Sequence, residues 1–408
     1  MTLDRAELLA RIDALAEAQV AFLAALVRVP SDNPPGDCAP HAAAAAALLE
    51  ARGFVVERHP VPEATVAAVG MRSVTNLIVR RRFGEGPVVA LNAHGDVVPP
   101  GQGWSTDPYG AEISDGAMYG RGVAVSKSDF ATYAFALEAL GEQAAALRGS
   151  VELHLTYDEE TGGEVGPLWL LEQGLSRPDY AISAGFSHGV TIAHNGCLHL
   201  EVSVLGKSAH AARPETGVDA LRGAVELLRT LYAMTQDFAA HPSALPGIGH
   251  PNLVVGLIEG GINTNVVPDR VVFRLDRRIV PEENPEQVEA GLIAAIEAAV
   301  ASQPGLGVRV RRVLLARPMV PIAGQERLVA MLQRHAREIL GEDIPAEGTP
   351  IYCDARHYSA AGIPTVLYGA GPRSLLEANG HRADEHLRLS DLLAATKVVA
   401  LTLADLLA

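Results

Sequence analysis

The sequence has few cysteines, few aromatic residues and too few basic residues to balance its acids. Its three cysteines are far apart and form no C-x-x-C pair, so neither a disulfide framework nor a thiolate zinc site is predicted. The 33 Lys and Arg are outnumbered by 48 Asp and Glu, and the net charge of -15 disfavours binding to nucleic acid or an anionic membrane surface. No apolar run is long enough for a bilayer span or an export signal. We therefore expect a cytoplasmic protein that binds neither nucleic acid nor membranes.

Length and composition predict a folded chain of two domains. Hydrophobic residues make up 48% and charged residues 20%, which is ordinary for a globular protein, and 408 residues exceed what one core usually supports. Helical periodicity in residues 6–27 precedes short β-rich runs that alternate with helical stretches, a pattern typical of α/β proteins with a largely parallel sheet. These runs are residues 54–58, 76–81, 88–92 and 151–157.

The pattern changes near residue 196, where strand signals combine with two long helical patterns into an inserted α+β unit. The predicted elements are strand 198–205, helix 218–234, strands 252–257 and 270–277, helix 285–302 and strand 308–313. Signals after residue 325 resemble the first region again. We therefore predict one domain from residues 1–195 and 315–408, interrupted by a second domain of residues 196–314.

Two polar loops follow predicted strands, at the position where α/β sheets bind ligands. In AHGDVVPPGQGW, His94 can bind a divalent metal through one ring nitrogen while Asp96 accepts a hydrogen bond from the other. In TYDEETGGE, one of Glu159 and Glu160 can hold a metal while its neighbour takes a proton from the attacking water. Either loop alone also fits an ordinary solvated turn.

A third motif, NGHRADEHLRL, lies near the C-terminus. It places His381 in a loop beside Asp384 and Glu385, ahead of a final amphipathic helix. By itself, this motif is equally well explained as the capping region of that helix.

Together these motifs resemble the M20 family of dinuclear zinc amidohydrolases, which includes acetylornithine deacetylases, succinyl-diaminopimelate desuccinylases, aminoacylases and glutamate-releasing carboxypeptidases. The resemblance covers nearly the whole chain, in the order HGDVVP, DPYGAEISDGAMYGRG, TYDEETGG, GKSAHAARPETGVDA, GGINTNVVPDRVVFRLDRR, DARHYSAAGIPTVLYGAG and GHRADEH. It implies an α/β zinc-peptidase-like catalytic domain with an inserted ferredoxin-like α+β lid that usually dimerises, hence a homodimer. The implied reaction is hydrolysis of an amide bond in an N-acyl amino acid or small peptide.

The resemblance also implies roles for individual residues. His94 would bind one metal, and Glu160 and His381 the other. Asp96 would orient His94, and Glu159 would be the general base. The implied cofactor is a divalent metal, one or two ions, with zinc expected and cobalt or manganese as alternatives.

Further implied roles concern the carbonyl and the substrate carboxylate. His210 of the lid would polarise the scissile carbonyl, with an ordinary turn histidine as the alternative. Asn265 and Arg278 resemble the substrate-carboxylate contacts of the family, for which a guanidinium is well shaped, although both residues also fit a surface or interface. Arg356, with Asp354, matches a loop near the site and equally fits a structural ion pair.

The match fails at two expected ligand positions. The family places an aspartate between the metals, within a GRGxxD-x-KG pattern, where this chain has Val125. A second carboxylate is expected near Gly185. Asp129, one helical turn from Val125, and His188, close to Gly185, are candidate substitute ligands. Their alternatives are a favourable acid at a helix N-terminus and an exposed turn histidine.

The departures leave more than one function open. The main hypothesis is a metal-dependent amide hydrolase, which retention of Glu159 favours. A catalytically silent protein that binds the same kind of ligand is the alternative, favoured by Val125. A third reading, a metal-independent hydrolase using Ser126 and Lys127, is disfavoured because adjacent residues do not converge as nucleophile and base without further partners.

Overall fold

The computed structural model describes residues 3–408 and divides the chain into two compact units. The first contains the chain up to Ile192 together with Pro321–Glu347 and Cys353–Ala408. The second contains Ala193–Val320 and Gly348–Tyr352. None of the helices in residues 3–408 combines the length and the apolar character that crossing a bilayer requires.

The first unit is built on an eight-stranded mixed sheet. In spatial order its strands are β1 (Val56–Pro60), β2 (Thr75–Arg82), β6 (Ser150–Thr156), β3 (Val88–His94), β7 (Tyr180–Ser183), β14 (Thr365–Leu367), β8 (Val190–His194) and β13 (Ala346–Thr349). The pairs β6–β3, β3–β7 and β7–β14 are parallel, whereas β1–β2, β2–β6 and β14–β8 are antiparallel. The prediction of a largely parallel sheet is therefore right only for its centre. At the edge, β1 leaves alternate residues exposed, which antiparallel sheets tolerate better than parallel ones.

Helices cover this sheet and form the main core with it. They are α1 (Arg5–Ala14), α2 (Ala16–Val27), α3 (Ala39–Ala51), α4 (Glu63–Ala68), α5 (Lys127–Leu140), α6 (Pro167–Glu172), α9 (Gln325–Leu340), α10 (Ala355–Ala360) and α11 (Leu389–Leu407). The single helix predicted for residues 6–27 divides at Leu15, which separates α1 from α2. Helix α5 packs against α2 and α11 and is buried along almost its whole length. Its first turn, which contains Asp129, is therefore held in a fixed position in the core.

A small second sheet joins two distant parts of the first unit. Its strands, in order, are β15 (His386–Arg388), β5 (Ala117–Tyr119) and β4 (Glu112–Ser114). Because β15 pairs with β5, the loop before β15 lies beside the segment after β5, and the Gly120 amide donates to the Glu385 carbonyl at 2.9 Å. This pairing places the loop that contains His381 next to the segment that contains Val125.

The second unit is a four-stranded antiparallel sheet with two helices on one face. Its strands, in order, are β10 (Asn252–Gly260), β11 (Arg270–Ile279), β9 (Gly196–Leu205) and β12 (Gly307–Ala316), and its helices are α7 (Ala220–Met234) and α8 (Pro285–Ala301). Asp219 and Asn284 cap the two helices through their side chains. Alternate residues of β9, including Leu198 and Leu200, are buried in a core with both helices. All six elements predicted for this region are confirmed, and so is the fold class, an α/β domain interrupted by an α+β domain.

Candidate metal centre

His94 ends β3, at the carboxyl edge of the parallel centre of the sheet. Its Nδ1 lies 3.0 Å from the backbone carbonyl of Asp96, so in the neutral ring Nδ1 carries the hydrogen and Nε2 has the free lone pair. That Nε2 lies 4.0 Å from Glu159 Oε2. Burial disfavours the charged ring, but the negative charges of Glu159, Asp96 and Glu160 outweigh it and raise the pKa of His94 well above its usual value. The surroundings of His94 Nε2 therefore favour a cation.

Asp96 is fully buried and holds the two neighbouring glutamates in place. Its Oδ1 accepts the amide of Glu159 at 3.2 Å and its Oδ2 accepts the amide of Glu160 at 3.1 Å. The Asn33 side chain donates to the same Oδ2 at 2.9 Å. Asp96 thus fixes the backbone of the turn that contains Glu159 and Glu160, which we call the glutamate turn. Asn33 was missed from the sequence, where the only signal was its place in the Pro-rich turn NPPG.

Glu159 and Glu160 form a single 3-10 turn directly after β6. Burial, with the charges of Glu160 and Asp96, raises the pKa of Glu159 to about 8, although the charge of His94 acts in the opposite direction. A carboxyl group with this pKa can accept and return a proton near neutral pH.

Glu160 and His381 form a close ion pair. Glu160 Oε1 is buried and lies 3.3 Å from His381 Nε2, but the contact lacks the geometry of a hydrogen bond and no other group bonds this oxygen. The nearby Glu160 carboxylate raises the pKa of His381. A buried carboxylate oxygen without a hydrogen bond is costly unless another partner binds it.

The residues present fit a divalent metal ion. The ligand atoms of His94, Glu159 and Glu160 all lie within 4.8 Å of one another, and His381 joins this group through Glu160. Two atoms bonded to one tetrahedral zinc at about 2.0–2.1 Å are separated by about 3.3 Å, which is the distance between Glu160 Oε1 and His381 Nε2. Imidazole nitrogen and carboxylate oxygen are also the donors that zinc takes at catalytic sites.

A buried ion pair positions the loop of His381. Arg121 donates to Glu385 Oε2 at 2.5 Å, and both side chains are almost completely buried. Glu385 Oε1 also accepts the amides of Ala124 and Val125, at 3.1 and 3.2 Å. His381 has a positive φ of 62°, a conformation that is uncommon for a non-glycine residue. The roles of Arg121 and Glu385 were not predicted.

The two candidate substitute ligands make other contacts. Asp129, fully buried on the first turn of α5, accepts the amide of Gly185 at 3.1 Å and that of Ala370 at 2.8 Å. His188 places Nδ1 2.6 Å from Glu342 and Nε2 3.8 Å from Asp391.

Arg356 and Asp354 lie behind the glutamate turn. Arg356 is buried and donates to the carbonyl of Gly162, within the TGG sequence that follows Glu160. Asp354 accepts the Thr156 hydroxyl at 3.3 Å. Burial and the charge of Glu159 raise the pKa of Asp354 to about 8. In these contacts both residues support the turn that carries Glu159.

The remaining predicted residues belong to the second unit. The His210 segment bridges to Val266, and the Ala211 amide donates to the Asn265 carbonyl at 2.9 Å, so His210 and Asn265 lie on adjoining segments. His210 is exposed, and its Nδ1 accepts the amide of Ala212 at 3.0 Å. Arg278 is held by Asp276, with its Nε 3.0 Å from Oδ1.

Comparisons with known proteins agree on one family. A family model described as Peptidase family M20/M25/M40 matches residues 90–405. The chain is 28% identical over 335 residues to a succinyl-diaminopimelate desuccinylase of Thioalkalivibrio sulfidiphilus, which covers 78% of this chain and 83% of that protein. The dipeptidase Dug1p of Saccharomyces cerevisiae has a similar structure, with a TM-score of 0.79 at 14% identity over 100% of this chain and 99% of that one. A dinuclear metal-binding M20 peptidase of Bacillus subtilis has a TM-score of 0.69 at 16% identity over 97% and 99%.

The two structural likenesses are distant in sequence and concern the fold alone. The family model, by contrast, matches well over half of the chain, including the segments of His94, the glutamate turn and His381. The resemblance predicted from the motifs is confirmed. The chain belongs to Peptidase family M20/M25/M40 and is an M20-type metallohydrolase that acts on amide bonds.

Proposed function

We propose that this protein is a metal-dependent hydrolase that removes an acyl group from an N-acyl amino acid or cleaves a small peptide. The observation that carries the proposal is the convergence of His94, Glu159 and Glu160, whose ligand atoms lie within 4.8 Å of one another, together with His381, whose Nε2 lies 3.3 Å from the buried Glu160 Oε1. A carboxylate oxygen and an imidazole nitrogen placed in this way can bind the same metal ion.

His94 Nε2, Glu160 and His381 Nε2 would hold the ion, which we expect to be zinc, with cobalt or manganese as alternatives. When bound, such an ion supplies Lewis-acid activation of water and of the scissile carbonyl. Glu159 then takes the proton of the attacking water and delivers it to the leaving amine. Its raised pKa, a result of burial, suits it to both steps near neutral pH.

For three residues of the second unit we propose the roles that the family resemblance implies. Because His210 Nδ1 accepts the amide of Ala212, its Nε2 carries the hydrogen in the neutral ring and can donate to a developing oxyanion. Asn265 and Arg278 are proposed to bind a substrate carboxylate, as a guanidinium is suited to do. Arg356 is proposed to contribute by holding the turn of Glu159.

We also propose a homodimer formed through the second unit. β10 is an edge strand whose Val254, Leu257 and Ile258 are 55%, 61% and 56% exposed. Exposed apolar edge strands are sites of pairing with another chain. Light scattering of the wild type against Leu257→Asp measures this directly: a dimer that the substitution splits supports the proposal, and a wild-type monomer refutes it.

The catalytically silent alternative receives no support from the relatives, whose names describe hydrolysing enzymes. The deciding experiment is elemental analysis of protein purified without chelator, together with hydrolysis assays on a panel of N-acyl amino acids and dipeptides. We expect bound divalent metal and turnover that chelation abolishes and zinc restores. Absence of turnover with zinc, cobalt and manganese over the whole panel would support the silent binder.

A further inference from the structure

We infer that this chain binds one metal ion where its family binds two, because Val125 and Gly185 stand at two expected ligand positions and offer no ligand atom, while the nearby Asp129 is bonded to backbone amides. The inference rests on one part of the proposed function, namely that the chain binds metal. It concerns residues at which the chain departs from its family, and it explains why neither Asp129 nor His188 would serve as a ligand.

Val125 stands where a bridging carboxylate is expected and offers no ligand atom. Its side chain is half-buried and packs against the main hydrophobic core. Its amide is bound to Glu385 Oε1 at 3.2 Å, so the backbone of this segment is fixed. A neighbouring side chain would have to supply the missing ligand.

Gly185 offers no ligand and has no room for one. A Cβ added at this glycine would lie 2.8 Å from the backbone nitrogen of Tyr368 and 2.9 Å from the carbonyl carbon of Leu367. Real Cβ atoms essentially never come so close to a neighbouring backbone. The neighbouring backbone therefore leaves no room for a carboxylate side chain at position 185.

Asp129 connects the segment of Gly185 with the segment of Ala370. Its two oxygens accept the amides of Gly185 and Ala370, and its carboxylate lies so close to Gly369 that a Cβ there would overlap it. Asp129 has 0% exposure, and both of its oxygens accept backbone amides, so this side chain joins the two segments by hydrogen bonds instead of facing a metal ion. Buried amides need such an acceptor.

His188 also has other partners, because Glu342 and Asp391 lie near its two ring nitrogens. The inherited ligands that remain are His94, Glu160 and His381. Two histidines and one glutamate are a known set for a single catalytic zinc ion.

The test is the number of metal ions per chain. Wild-type protein is dialysed against zinc and, in a second sample, against cobalt, and the ions are counted by elemental analysis and by calorimetric titration of apoprotein. We expect one ion per chain. Two ions per chain would overturn the inference while leaving the proposed hydrolase in place, whereas one ion without turnover of any amide would refute the function alone. A chain that binds no ion refutes both.

Single substitutions distinguish residues with a structural role, Asp129 and His188, from the metal ligand Glu160. Asp129→Ala should lower the melting temperature, because two buried amides lose their acceptor, yet the folded protein should still bind one ion, as should His188→Ala. Glu160→Gln should reduce the count below one. If Asp129→Ala or His188→Ala loses metal as Glu160→Gln does, that residue is a ligand and the inference fails. Val125→Asp should leave the count at one, because Gly185 still supplies nothing, and a second ion in this variant would also contradict the inference.

Discussion

Glu160 Oε1 and His381 Nε2 lie 3.3 Å apart although the residues are separated by more than 200 positions, and no hydrogen bond joins them. The neighbouring Glu159 makes a different contact, with its Oε2 4.0 Å from His94 Nε2. Adjacent glutamates thus point toward different histidines, and we expect them to have separable roles.

The first prediction separates these roles by substitution. Glu159→Gln should lower kcat by a factor of about 10²–10⁴, the usual contribution of a general base, while the metal content stays that of the wild type. Glu160→Ala should lose metal as well as activity. Elemental analysis beside single-turnover kinetics measures both, with Glu164→Gln, an exposed glutamate four residues along, as control. Equal loss of metal from both variants would show that the roles are wrongly assigned.

The second prediction concerns the glycine that follows the glutamate turn. Gly163 has a φ of +69°, and a Cβ there would overlap Asp354 Oδ1 and lie 2.9 Å from His357 Nε2. Gly174 has a similar φ of +65°, but its nearest neighbour would be Arg177 at 4.0 Å. Gly163→Ala and Gly174→Ala should therefore share a backbone cost of about 1 kcal/mol, and only Gly163→Ala should also displace Asp354 and lower kcat. Equal stability and kinetics in the two variants would contradict the proposed support of the turn.

Local patterns predicted the elements of the second unit because alternating apolar residues mark its strands and long amphipathic stretches mark its helices. They also indicated that the loops of His94 and Glu160 belong to a site, because charged and metal-binding side chains are unusual directly after buried strands. They did not reveal Asn33, Arg121 or Glu385, whose partners are distant in sequence. A buried polar contact over such a separation leaves no periodicity in the chain, so only the folded structure identifies it.

The antiparallel edge of the sheet was missed for a related reason. β-rich runs that alternate with helices predict parallel pairing, and the order of β1 and β2 along the chain does not reveal their direction. The break at Leu15 was likewise invisible, because apolar residues continue at helical spacing across it, with Ile12, Leu15 and Phe22 all buried. Packing, not local preference, decides these two features.

The third prediction tests the ion pair that positions the loop of His381. Glu385→Gln leaves the buried guanidinium of Arg121 without a countercharge, and breaking one side of a buried pair typically costs about 3–5 kcal/mol. Replacing both partners by apolar residues, as Arg121→Met with Glu385→Leu, should restore part of this stability but not the metal affinity. Asp343→Asn is the control, because its ion pair with Arg337 is mostly exposed and should contribute about 1 kcal/mol or less. Urea unfolding and zinc titration measure the two effects, and a Glu385→Gln variant as stable as Asp343→Asn would refute this role.

The fourth prediction concerns stability in acid and involves Glu152 on β6, away from the candidate metal centre. Burial alone would raise the pKa of Glu152, but hydrogen bonds from His154 and Ser176 and the charge of Arg80 outweigh it and lower the pKa from 4.5 to about 2. A carboxyl group whose pKa is lower in the folded than in the unfolded chain stabilises the fold above the unfolded value, and this stabilisation disappears as the pH falls toward the folded value. The difference between the two pKa values corresponds to about 3 kcal/mol of stability at neutral pH, of which about 2 kcal/mol is lost by about pH 3.

Glu152→Gln should therefore be less stable than the wild type at pH 7, and the gap between their free energies of unfolding should narrow steadily between about pH 5 and pH 3. Urea unfolding at a series of pH values measures this gap, with Glu112→Gln on the exposed strand β4 as control. A gap that is unchanged from pH 7 to pH 3 would mean that the charge of Glu152 is not what stabilises this part of the sheet.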